Sequence, residues 1–165
     1  MTAMRVLCCL DGTNIEQISK ALTPFTATET LTIGLLYVID QGPHGEVERT
    51  RERFMRTSGP LFSPRRDQMK QVDDVTAQDI LNEGLRYLPT AELLRHEGRP
   101  EREIVNYAAE WKADLIVICP RSHYGGKAEI GPKSVGHVAR FVLDHAPCPV
   151  LLVRPLAHEL FPLKR

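Results

Sequence analysis

Two stretches of this chain carry residues that could do chemistry. The first is Leu10-Asp11-Gly12-Thr13-Asn14, where an apolar run ends in an acid and two helix-capping residue types. The carboxylate can reach into a crevice above a sheet, and Thr13 or Asn14 can cap the helix that follows. Asp11 could equally do no more than shape the turn. The second stretch is the loop from Cys119 to Ser134, which holds Gly125, Gly126 and Gly131 with Arg121, Lys127, Lys133 and Ser134. Glycine amides, cations and a helix start near 134–136 are the parts of an anion site. The unpaired N–H groups of a first helical turn point at such a ligand.

Gly126 to Ser134 imitates a nucleoside triphosphate loop, but Pro132 stands before Lys133. Proline removes one amide donor, and that loop needs its GK[ST] run unbroken. Cys9, Cys119 and His123 could suggest a metal or redox set, yet their spacing matches no zinc pattern. With Cys8 and Cys148 they read better as reduced, packed thiols. No metal is expected. No Ser-His-Asp or paired-carboxylate arrangement follows from the spacing, so no catalytic residue is assigned.

Five apolar runs must position these groups: Met4–Leu10, Leu31–Ile39, Ala91–Arg95, Leu115–Cys119 and Val150–Val153. Four are nearly continuous, as strands covered on both faces are. The third is shorter and more polar, as an edge strand can be. Helical stripes separate them: Ile15, Ile18, Leu22 and Phe25; Ala77, Leu81, Leu85 and Leu88; Ile104, Ala108 and Trp111; Val135, Val138, Val142 and Leu143. Pro89 closes the second helix and Pro100 opens the third. The alternation predicts an α/β fold, an open, doubly wound, parallel five-stranded sheet with right-handed crossovers. In the order 3-2-1-4-5 the chain reverses direction between strands one and four. Ligands of open α/β sheets bind at such switch points, so Asp11 would face the loop after Cys119.

At 165 residues, 42 % hydrophobic and 25 % charged, one soluble domain over 1–155 is expected, with a tail at 156–165. The formal charge is zero, which gives nucleic acid or an anionic membrane no bulk attraction. No run approaches the roughly 20 apolar residues of a membrane helix, and the start reads as no signal peptide; a cytoplasmic protein is expected. An Arg-, Gly- and Pro-rich excursion at 42–74 breaks the rhythm, with a short helix expected near 46–55. It reads as a charged surface segment, or as a lid or docking surface for a protein partner.

The blocks MRVLCCLDGT, LTIGLLYVID, GRPEREIVNYAAEWKADLIVI and SVGHVARFVLDHAPCPVLLVRP together resemble the universal stress protein family. The resemblance implies an adenine nucleotide alpha hydrolase-like fold, with ATP or another adenine nucleotide as cofactor. In nucleotide-binding members the fourth strand runs into G-x-x-G, then nine residues, then G-[ST]. On that pattern Cys119 and Ser122 take the first two glycine places, Gly136 the third, and His137 the Ser/Thr. Ser122 to Gly136 is then four residues too long. A second placement, through Gly126 and Gly136, restores the spacing but sets His123 at the first glycine. The motif is intact in neither. By the same resemblance Asp11 and Val38 border the adenine and ribose, Arg121 sits inside the phosphate motif, and Val138 follows it into the helix.

Glycine lets amides approach phosphate closely, and a Cβ at Cys119 or Ser122 narrows the cradle. Three functions therefore stand open: a nucleotide-sensing regulatory protein of the stress-response class, a ligand-free interaction module, or a slow nucleotide hydrolase. A homodimer is expected through Val150 to Val153, an apolar run at the sheet edge with nothing in it to blunt pairing. In this the resemblance agrees.

Overall fold

Val6, Cys8 and Leu10 of the first strand join one core, while Leu7 and Cys9 join another on the opposite face. That alternation is the two-residue period of a strand with both faces covered, and it explains why the run is continuously apolar. The structure, a computed structural model, describes residues 3–27, 30–42, 64–120 and 130–160. Its elements are β1 (Met4–Leu10), α1 (Ile15–Thr26), β2 (Leu31–Asp40), α2 (Pro64–Tyr87), β3 (Glu92–Gly98), α3 (Pro100–Glu110), β4 (Leu115–Ile118), α4 (His137–His145) and β5 (Val150–Leu152). A short 3-10 turn, His158–Leu160, follows.

The five strands are parallel and ordered β3-β2-β1-β4-β5, as expected. Ile15, Ile18 and Leu22 of α1 and Leu81 of α2 cover one face. Ile104 and Ala108 of α3 and Ala139 and Val142 of α4 cover the other. Leu7, Leu35, Leu36 and Ile116 are wholly buried, and each such side chain contributes about 2 kcal/mol of transfer free energy.

Three elements depart from the sequence reading. β3 runs on to Gly98, because β2 carries its ladder as far as the pair Asp40↔Gly98. Helix α2 begins inside the 42–74 excursion, at Pro64. No apolar stripe marks that first part; Met69, Val72 and Val75 are exposed, and the buried stripe begins only at Ala77. Arg95 of β3 holds it by ion-pairing with Asp74, and also pairs with Glu97 of its own strand at 3.1 Å. In α4, Leu143 is exposed and Ala139 is buried in its place. The helix expected near 46–55 lies outside the described residues, as does most of the excursion.

Candidate functional site

The carboxyl ends of β1, β2 and β4 open into a cavity of about 440 Å³. Asp11 reaches it from β1, Val38 and Asp40 from β2, and Ile118 and Cys119 from β4. The starts of two helices close the far side, with Pro100 and Ile104 from α3 and Gly136, His137 and Val138 from α4. This is the reversal point of the sheet, where neighbouring crossovers leave on opposite faces and a crevice must open.

Asn14 builds the Asp11 corner. It stands at the N-cap place of α1 but makes no side-chain cap. Its Nδ2 donates to the Cys9 carbonyl at 2.9 Å, and its Oδ1 accepts from the Asp11 amide at 3.1 Å. The Asp11 Oδ1 accepts from Thr13 twice, from its amide at 2.7 Å and its hydroxyl at 2.9 Å. Gly12 takes φ 93° in that turn. The expected capping by Thr13 or Asn14 is thus replaced by a turn that aims the carboxylate. Asp40, on the neighbouring strand, accepts from the Gly42 amide at 2.8 Å.

The thiols of the site are not poised to react. Burial pushes the Cys9 thiol well above its usual range, with neighbouring thiols adding to the effect. Burial pushes Cys119 up to about 11, against a hydrogen bond with Asn14 that lowers it. Both stay protonated near neutrality, and a thiol is a poor nucleophile and metal ligand. Among the described residues no three His, Cys, Asp or Glu side chains gather as a metal would need. Burial also raises Tyr37, with Asp73, Asp11 and Asp40 adding to it.

At the far side Gly136 is the N-cap of α4 with φ 80°, a backbone shape that glycine adopts without strain. Ser134 does not face a ligand as a triphosphate loop's serine would. Its hydroxyl donates to the Gly131 carbonyl at 2.8 Å and accepts from Arg154 at 3.1 Å. Of the residues singled out from the sequence, Asp11, Val38, Cys119, Gly136, His137 and Val138 meet at this cavity. Arg121, Ser122 and Gly126, with His123 and Lys127, lie outside the described residues. Asp40, Pro100 and Ile104 were not foreseen. Pro100 was legible as a helix start, but nothing local to it says which crevice that start faces.

The family model described as "Universal stress protein family" matches residues 3–154. A universal stress protein of Thermus aquaticus, encoded beside a QAH/OAS sulfhydrylase gene, is 35 % identical over 86 residues, which is 52 % of this chain and 58 % of that protein. The match thus spans little more than half the length of that relative. Among solved structures, the universal stress protein UspA from Lactobacillus plantarum superposes with a TM-score of 0.67 at 19 % identity, covering 93 % of this chain and 99 % of its own. The universal stress protein from Archaeoglobus fulgidus, solved in complex with dAMP, gives 0.56 at 18 % identity, covering 93 % and 99 %. No helix among the described residues is long and apolar enough to cross a membrane.

Proposed function

Since the chain belongs to the universal stress protein family, we propose that it is a small regulatory protein that binds an adenine nucleotide between β1 and β4. The observation that carries this reading is the 440 Å³ cavity at the reversal point, lined by an acid on one side and two helix starts on the other. The dAMP complex of the Archaeoglobus relative supports the ligand class. In this reading Asp11 and Val38 border the base and ribose, and Cys119 forms part of the wall. Gly136, His137 and Val138 receive the phosphates, and Arg121, Ser122 and Gly126 complete the grip. The protein works in the cytoplasm as a homodimer joined through β5, and the excursion serves a protein partner.

Binding rather than turnover fits the chemistry. The thiols on the lining are held protonated, and the carboxylate of Asp11 is engaged in its own turn. Mass spectrometry of freshly purified, denatured protein tests for carried-over nucleotide, and calorimetry with ATP, ADP and AMP tests for binding. Nucleotide carried through purification, and a binding heat lost in Asp11→Ala, are the expected results. No nucleotide and no heat at high micromolar protein would sink the proposal. That outcome would favour a ligand-free interaction module, which the engagement of Asp11 by Thr13 also suits.

A further inference from the structure

A buried carboxylate and an exposed imidazole meet at the rim of this cavity. Glu101, in the first turn of α3, is only 6 % exposed. Its Oε1 lies 3.2 Å from Arg99 Nε and 3.5 Å from His137 Nε2. His137 opens α4 directly after Gly136, and its side chain is 74 % exposed. Two helix starts distant in sequence are therefore joined by one Glu–His contact beside the ligand space.

The contact constrains what the imidazole can offer. A neutral ring has one N–H and one lone pair. A carboxylate beside Nε2 favours hydrogen on that nitrogen, which leaves the lone pair on Nδ1. A lone pair repels a phosphate oxygen. One added proton turns Nδ1 into a second donor while Nε2–H still faces Glu101, and a charged donor to phosphate makes the stronger kind of hydrogen bond. A serine or threonine hydroxyl at this place would donate whatever the pH.

The surroundings point the same way. Asp11 after β1 and Asp40 on β2 line the same cavity. Cys119 after β4 is held neutral by burial. Arg99 stands against Glu101 at the start of α3, and Arg140 on α4 donates to the Pro132 carbonyl at 3.2 Å. Among the described lining residues the carboxylic acids are Asp11 and Asp40, burial raises Tyr37, Cys9 and Cys119, and the one basic side chain is His137. Asp11 and Asp40 repel an anion here, and a charge on the His137 ring would offset that repulsion.

We propose that His137, oriented by Glu101, is a phosphate-positioning residue of this pocket and holds a phosphoryl group more strongly as the imidazolium, so that nucleotide binding is coupled to proton uptake. The inference rests on the nucleotide reading above and deepens it.

Calorimetry of AMP and of adenosine at pH 8.0 and pH 6.5, in buffers of different ionisation enthalpy, tests it on wild type, His137→Ser and Glu101→Gln. Wild type should bind AMP about tenfold more tightly at the lower pH, with net proton uptake, because a charged donor holds phosphate more strongly than a neutral ring. Adenosine, lacking phosphate, should change under about twofold, since no group on it calls for the charged ring. His137→Ser should bind AMP with little pH response, and Glu101→Gln should weaken the response. The ligand's own phosphate titrates near pH 6, so the comparison between proteins decides. An equal pH response in wild type and His137→Ser would assign the proton to AMP and overturn the inference. If AMP and adenosine both bind wild type with no response traceable to His137, this inference alone falls. If neither binds wild type, the nucleotide reading falls and takes the inference with it.

Discussion

Asn14 Nδ2 donates to the Cys9 carbonyl at 2.9 Å, and this bond fixes where Asp11 stands. The same side chain accepts from the Asp11 amide, so one buried amide group ties the last residues of β1 to the start of α1. The cavity's acid corner is therefore a property of Asn14 as much as of Asp11.

Asn14→Ala should destabilise the fold by about 1–3 kcal/mol, the usual cost of leaving buried polar partners unmatched. Urea unfolding measures this. The variant should also lose nucleotide affinity, because the turn that aims Asp11 is loosened. Full stability and unchanged binding would contradict the role given to Asn14.

Gly34, in the middle of β2, has no room for a methyl group. A Cβ there would stand 2.7 Å from Leu94 Cδ1 and 3.1 and 3.2 Å from two ring carbons of Trp111. Leu94 can turn aside, but Trp111 is pinned. Arg5 lies 4.1 Å over its ring, and its Nε1 donates to Glu92 at 3.2 Å. Gly34→Ala should cost about 1–3 kcal/mol by overpacking. A thermal or urea midpoint equal to wild type would show that the Trp111 corner gives way.

Alkaline pH should destabilise the protein through its core thiols. Burial, with Cys119 nearby adding to it, pushes Cys8 up to about 12 from an ordinary value of 9.0. Its folded pKa thus exceeds its unfolded one, so the folded state keeps a proton that the unfolded chain releases. The stability this brings is complete below about pH 9 and is lost progressively up to about pH 12, by at most about 1.4 kcal/mol per pH unit for this one thiol. Urea midpoints between pH 8 and pH 10 should fall less steeply in Cys8→Ala than in wild type. Equal slopes would place the loss elsewhere.

The homodimer proposed through β5 has its own test. Val150, Leu151 and Leu152 are only partly buried at the sheet's edge, where an apolar strand offers unpaired amides and carbonyls to a second copy. Sedimentation of wild type should give a dimer at tens of micromolar, and Leu152→Lys should split it. A monomeric wild type would end the proposal.

The sequence by itself determined the layers of this fold. A strand covered on both faces must be apolar throughout, and a helix covered on one must carry a stripe. Met4–Leu10 and the stripe Ile15, Ile18, Leu22 therefore announce their elements without help from distant residues. The beginning of α2 was not legible for the same reason: its exposed residues carry no stripe, and its anchor, Arg95 to Asp74, joins a helix to a strand well beyond it. Asp11, Gly136 and His137 could be chosen from local signals, an acid after a strand and a glycine before a helix. Glu101 could not. Within its own segment it is one of two glutamates in a helix's first turn, and its chemistry comes from standing 3.5 Å from His137. Only the tertiary structure decides that contact. Periodicity records which face of an element is buried, whereas the pairing of two helix starts depends on how both crossovers settle against one twisted sheet.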